Sequence, residues 1–444
     1  MSISHYAGGV LVLALVTCVG VWSGRRVKTA VDFNVGGRRT PAPLVMSALI
    51  GTLVGGASTI GTAQLAFRYG LSAWWFTLGG GAGCLLMASC FVRPLYESGV
   101  STLPQMLARK WGDRAALAAT VLTSLGGFLG IVAQMLSGAA LIASVAPIGH
   151  LASTLLIVAL MLAYVGWGGV WGAGYVGVVK IVLLYTAVGA CGVMAINIEG
   201  GVGVFHTALP HYFDMFSRGV ARDVGAALSP VFGILTTQAY IQAAVSARSL
   251  RAARGGVLAS AAMVPLIGIA GVFVGMYMRL HYPDIAPSTA LPLFVMNHLP
   301  PLLAGAVMAT LLVALLGTGA GVALGLSSMI CGVGRTSSIA MSRGVIVAIL
   351  LCAAAFSWGG LGTMILDWSF LSMGLRASVA FWPMCAVVFI KRHISSAYVL
   401  ASMIAGPAFV LAGKFACPSV DPLFPGMAAS AVVLAIGVLK SRKD

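Results

Sequence analysis

The chain has 444 residues, of which 59% are hydrophobic and only 8% charged, and its formal net charge at pH 7 is +16. The basic residues gather in short gaps between apolar runs, so the charge reads as that of loops beside anionic lipid and calls for no nucleic-acid partner. The composition is that of an all-α polytopic membrane protein, since a helix needs about 20 apolar residues to cross a hydrocarbon layer.

Thirteen apolar runs follow one another, at about 5–23, 41–67, 72–93, 115–146, 150–167, 173–198, 222–247, 255–279, 294–332, 342–360, 362–390, 396–413 and 422–439. The first follows MSISHYAGG, which has no basic region, and carries no small-residue cleavage site. It therefore reads as a retained helix followed by Arg25 and Arg26. The second contains GTLVGGAST, which sets Gly51, Gly55 and Gly56 beside Thr52, Ser58 and Thr59 in mid-membrane. That combination predicts an interrupted helix offering free backbone groups to a ligand. The sixth run contains Lys180. The ninth contains LLGTGAGVALG, Leu315 to Gly325, and predicts a second interruption. The eleventh holds Arg376 near its middle, where a charge is expensive and usually functional. Asp367, nine positions earlier, is read as the one acid within a run. The longest gaps, around 94–114 and 199–221, are too short for a soluble domain, so residues 1–444 form a single membrane domain.

Taking the gaps alternately, one set carries 19 of the 26 Lys and Arg residues, including Arg335, and the other carries only Arg68, Arg218, Arg222, Arg279 and Lys414. The positive-inside rule then places the N-terminus outside and the C-terminus in the cytoplasm, in a plasma (inner) membrane protein. Eight cysteines are scattered, with Cys417 in an outward loop, and they lack metal-ligand spacing. The seven histidines lie in loops or run ends, with neither HExxH nor GxSxG, so catalysis is not expected. The chain ends at Asp444 directly after the last run, so a role as a membrane sensor would need a separate signalling partner.

The segment from Asp32 to Phe76 resembles the start of the sodium:solute symporters, in which a D-[FY]-x-x-x-G-R motif precedes a broken helix ending in A-[YF]-x-x-G. The similarity continues through Thr102 to Gly112, Gly168-Gly169, Thr237 to Arg254 and Pro301 to Thr318. The resemblance implies a first helix at 5–23, an inverted-repeat core with repeat one at about 41–198 and repeat two at about 222–390, and extra helices over 396–440. Alternating access would proceed around a site near the midplane.

In that family a sodium ion is held by carbonyls of the broken helix, here Gly51 and Val54, and by an A-x-x-S-[ST] motif, here Ala314, Gly317 and Thr318. Gly317 stands where the family has Ser, so a hydroxyl ligand is missing. In the sixth run the family's W-T-D-x-x-Q becomes Gly177 and Lys180, so an acid is lost and a cation gained on one helix face. The resemblance therefore implies that the Lys180 ammonium sits in or beside the vacated cation site. Since desolvation disfavours charged groups, the same residue could serve proton coupling. The alternative is that Lys180 snorkels to the interface. No cofactor is expected, and the coupling ion is either a proton or sodium. Ser58, Gln134, Thr237 and Gln238 match substrate-facing polar positions, with interhelical packing as the other reading. Arg376 could grip a carboxylate bidentately, which favours a small anionic or zwitterionic solute.

Overall fold

The computed structural model describes residues 2–25, 38–146, 148–332, 338–358, 363–392, 394–416 and 420–440, and within the helix His150–Ile198 it describes no side chains from 165 to 173. Asp32 to Gly37, Arg335, His393 and Cys417 lie outside these residues, and Gly168-Gly169 are described only as part of the helix. The described residues are almost wholly helical. In chain order the principal helices are α1 (Ile3–Gly24), α2 (Ala42–Leu53), α3 (Thr62–Tyr69), α4 (Trp75–Leu86), α5 (Leu103–Trp111) and α6 (Asp113–Ala143). They continue with α7 (His150–Ile198), α8 (Val220–Thr236), α9 (Gln238–Val245), α10 (Leu250–His281), α11 (Pro301–Gly332), α12 (Ile339–Ser357), α13 (Ile365–Phe389), α14 (Ser396–Ala416) and α15 (Leu423–Leu439).

Nine helical stretches among the described residues are long and apolar enough to cross a membrane, or ten when the bent pair α8 and α9 counts as one span. Three shorter apolar helices, Ala42–Leu53, Leu151–Tyr164 and Leu423–Leu439, coincide with further runs. The outer faces of α1 and α6 carry exposed Val10, Leu11, Leu15, Leu117, Val121 and Leu125. A soluble fold would bury such a belt, whereas lipid tails solvate it.

Among the described residues two spans are broken, and one of the two breaks where the glycines predict. α2 ends at Leu53, Val54 is extended (φ −90°, ψ 99°), and the chain resumes as a single π-helical turn, Ala57–Gly61, leading into α3. The second break is at Thr237 (φ −87°, ψ 119°), where α8 and α9 meet at 51°. By contrast α11 runs unbroken through Leu315 to Gly325, which overturns the predicted interruption there. Its glycines instead admit neighbours. A Cβ built on Gly319 would lie 2.5 Å from Met161 Cε, and one on Gly321 2.6 Å from Thr52 Oγ1. α11 is the most enclosed span, and close approach is what small residues provide between membrane helices.

One end of the molecule is laced together. Thr40, just before α2, bridges to Ala247, just after α9: the Thr40 amide donates to Ser246 O (3.1 Å) and the Arg248 amide to Thr40 O (2.9 Å). The two broken spans are thereby joined at these ends. At the same end Lys110, in the last turn of α5, donates to Ala386 O (2.8 Å) and Ile390 O (2.6 Å). A cation there complements the negative end of α13, where Ala386 O also accepts from the Ile390 amide (3.3 Å).

Candidate functional site

The break after α2 leaves N–H and C=O groups that have no helical partner in a dry interior, where each needs one. The donors are met by side chains. The Gly55 amide donates to Ser58 Oγ (2.9 Å) and the Gly56 amide to Gln134 Oε1 (2.9 Å). Ser58 and Gln134 thus hold the break open as hydrogen-bond partners of its backbone. The approach is close enough to demand glycine, because a Cβ on Gly55 would lie 2.9 Å from Gln134 Oε1 and closer still to Thr318.

The acceptors are met by one lysine. Lys180, on α7, is 1% exposed and is among the largest fully buried side chains of the described residues. Its Nζ donates to Gly51 O (2.5 Å), Ala314 O (2.7 Å) and Thr318 Oγ1 (3.2 Å). Three donors on the ammonium thus meet three oxygens. Gly51 is among the last four residues of α2, so its carbonyl is free and the negative end of that helix dipole faces the cation. Lys180 therefore points inward and does not snorkel. The other predicted position of this set, Val54, caps α2 through its amide to Ile50 O (2.7 Å).

The two substitutions that accompany Lys180 are both steric. A Cβ built on Gly317 would lie 2.8 Å from Tyr164 Oη and 3.4 Å from Lys180 Nζ. The Tyr164 hydroxyl therefore stands where a side chain at 317 would begin. A Cβ on Gly177 would lie 2.5 Å from Ser47 O, and Ser47 Oγ in turn donates to Gly174 O (2.7 Å). α7 and α2 touch backbone to backbone there, which draws Lys180 up to Gly51.

Arg376, also buried, lies on α13 with Nε donating to Ser372 O (3.0 Å) and Nη2 to Ser372 Oγ (3.0 Å). It faces a cavity of about 10 Å³ that Thr237 and Gln238 also line, at the α8–α9 break. That volume holds about one water. Thr237 Oγ1 donates to Gly233 O (2.5 Å), and Gln238 bridges to the start of α5, accepting from the Leu103 amide (3.0 Å) and donating to Ser101 O (2.9 Å). The Gln238 amide is thus engaged with the laced end.

The predicted residues accordingly fall into two groups, one around the α2 break and one around the α8 break. Sequence reasoning missed Tyr164, whose signal was an aromatic residue 16 positions before Lys180 in an otherwise bland run. It also missed Asp223. This acid lies within the run 222–247, so Asp367 is not the one acid inside a run, and Asp223 is wholly buried. Asp223 accepts from Ser72 Oγ (2.6 Å) and Arg218 Nε (2.8 Å).

A family model described as the sodium:solute symporter family matches residues 33–332. Sodium/myo-inositol cotransporter 2 of Oryctolagus cuniculus is 27% identical over 360 residues, covering 69% of this chain and 52% of that protein. High-affinity choline transporter 1 of Caenorhabditis elegans is 23% identical over 252 residues, covering 54% and 44% respectively. The chain thus spans about half the length of these relatives. Among solved structures, a sodium-coupled sialic acid symporter in a substrate-bound, outward-open state aligns over 100% of this chain and 99% of its own, with a TM-score of 0.83 at 17% identity. At that identity the likeness establishes the fold.

Proposed function

Since the chain belongs to the sodium:solute symporter family, we propose that it is a secondary transporter for a small organic anion or zwitterion in which the Lys180 ammonium stands in place of a coupling sodium ion. The single observation that carries this reading is the bonding of Lys180 Nζ to Gly51 O, Ala314 O and Thr318 Oγ1. A hard cation sheds its water for such oxygens, and here a side chain supplies the cation. Two unit charges about 4 Å apart repel by about 4 kcal/mol at an effective dielectric of 20, so ammonium and sodium do not share the site. Gain and loss of a proton at Lys180 then takes the part that ion occupancy plays elsewhere.

The broken spans α2–α3 and α8–α9 head the two repeats, about 41–198 and 222–390, and alternating access is their relative movement. Arg376 receives the carboxylate of the solute, with Thr237 at its side. The N-terminus is outside and the C-terminus cytoplasmic, in a plasma membrane.

Uptake into proteoliposomes, screened with small carboxylates and amino acids, tests the reading. Transport is expected to persist when choline replaces sodium and to respond to an imposed pH gradient. Strict dependence on sodium defeats it in favour of a sodium-coupled symporter with an altered ion site, a reading that the names of the relatives favour.

A further inference from the structure

Acids and bases are unevenly placed in this molecule. At the laced end the acids among the described residues are Glu97 and Asp113, and Glu97 is already bonded to Arg93 (2.9 Å). Arg248, Arg251 and Arg254 follow α9 at that end. All three are exposed, and among the described residues none pairs with an acid.

Arg254 is the informative one. Its Nε donates to Ala88 O (3.0 Å), in the π-helical turn Met87–Phe91 that continues α4. Held by Nε alone among the described residues, the exposed guanidinium keeps both Nη nitrogens for a ligand, and such a fork grips phosphate bidentately. α4 and α10 also touch deeper in the membrane, where a Cβ on Gly81 would lie 2.8 Å from Ala261 O and 2.7 Å from Pro265 Cγ. Beside that contact both helices turn leucines outward. Leu258, one turn along α10 from Arg254, is 44% exposed, and Leu85, one turn before Ser89, is 53% exposed. Ser89 is exposed as well, and its Oγ donates to Leu85 O (2.6 Å). The outer seam between α4 and α10 thus runs from an apolar stretch at Leu85 and Leu258 to a cationic mouth at Arg254 and, one turn before it, Arg251.

We infer that this seam binds one anionic phospholipid of the surrounding bilayer, its phosphate on Arg254 and Arg251 and an acyl chain along Leu85 and Leu258. Any lipid tail solvates an apolar belt, but unpaired arginines between two spans select the headgroup by its charge. A lipid held there touches α4 and α10 together and braces them. Its binding depends neither on the solute nor on the coupling ion.

Native mass spectrometry of the purified full-length protein in detergent tests the inference. Titration with phosphatidylglycerol, or with phosphatidylcholine of the same acyl chains, reads the dissociation constant of the first bound lipid. Phosphatidylglycerol is expected to bind about tenfold more tightly, and free glycerol 3-phosphate not to displace it. Arg254→Gln should weaken phosphatidylglycerol binding about fivefold, the effect of one arginine near a membrane surface. Ser89→Glu keeps both arginines, sets a carboxylate at an exposed position of the seam and should weaken binding by as much. Arg392→Gln removes an exposed cation at the same end but outside the seam, and should leave binding within about twofold. The inference is overturned if the two lipids bind alike, if glycerol 3-phosphate displaces phosphatidylglycerol, or if either seam variant binds it as tightly as the unmodified protein. It is overturned equally if Arg392→Gln weakens binding as much as Arg254→Gln, since the preference is then one of general surface charge.

Discussion

The Tyr164 hydroxyl and Gly317 share one space: a Cβ on Gly317 would lie 2.8 Å from Tyr164 Oη. The absence of a side chain at 317 and the presence of the phenol are therefore a matched pair. Gly317→Ser should overpack the site at a cost of about 1–3 kcal/mol, seen as a lower Tm in thermal unfolding. Adding Tyr164→Phe removes the oxygen that the new Cβ meets first, so part of the loss should return. Additive losses in the double variant would mean that the two positions do not compete for the space.

Gly177 should be equally intolerant, for a backbone reason. Gly177→Ala places a Cβ against Ser47 O and should destabilise by about 1–3 kcal/mol, because α2 has to move away. Gly189 lies in the same helix with nothing within 4 Å of its Cβ. Gly189→Ala should accordingly stabilise slightly, by about 0.5–1 kcal/mol, the ordinary helix preference for alanine. Equal Tm values for the two variants would show that the contact with Ser47 is not confining. An acid placed at Gly177 would meet the same Ser47 carbonyl, so it should destabilise the packing of α7 on α2 as alanine does.

The spans and the first break were legible because apolar length and a glycine cluster are local signals. Lys180 was legible because its spacing from Gly177 put a lost acid and a gained cation on one helix face. The second break was not, since Thr236-Thr237-Gln238 has no glycine and its bend is held by tertiary contacts such as Gln238 to Leu103 and Ser101. Leu315 to Gly325 misled for the converse reason: glycines inside an enclosed helix serve close approach as readily as interruption. The cavity between α3, α13 and α14 draws on residues from 65 to 423, a gathering that only the fold creates.

Arg376 makes two bonds to Ser372, both within its own helix, and faces the cavity at the α8–α9 break. Arg376→Lys keeps the charge and loses the planar fork, so apparent solute affinity in proteoliposome uptake should fall about tenfold while the protein remains folded. Arg376→Gln should fall further. Normal transport by both variants would make Arg376 structural.

The orientation of the chain rests on the 19 basic residues in one set of gaps against five in the other. Single cysteines at Ser2 and Ser441 in a cysteine-free background should therefore label differently in intact cells. Membrane-impermeant maleimide should reach position 2 only. Labelling of position 441 alone would invert the molecule.

Lys180 gives the sharpest prediction. Its ammonium satisfies Gly51 O, Ala314 O and Thr318 Oγ1 together, so truncation leaves three oxygens facing a vacated space at the negative end of α2. Lys180→Ala should destabilise by about 3–5 kcal/mol in choline chloride, because it leaves buried acceptors unsatisfied, at about 1–3 kcal/mol each, and opens a cavity. Sodium should recover part of that loss, because an ion that binds only the folded state raises Tm with its concentration. Lys180→Met fills the space with an apolar side chain and should show no such recovery, and the unmodified protein should be indifferent to the exchange of choline for sodium. The comparison needs no knowledge of the solute, since thermal unfolding of the purified variants in the two salts reads it directly. A sodium-dependent rise in the unmodified protein, as large as that in Lys180→Ala, would show that the ion binds with the lysine in place and that the ammonium has not taken its position.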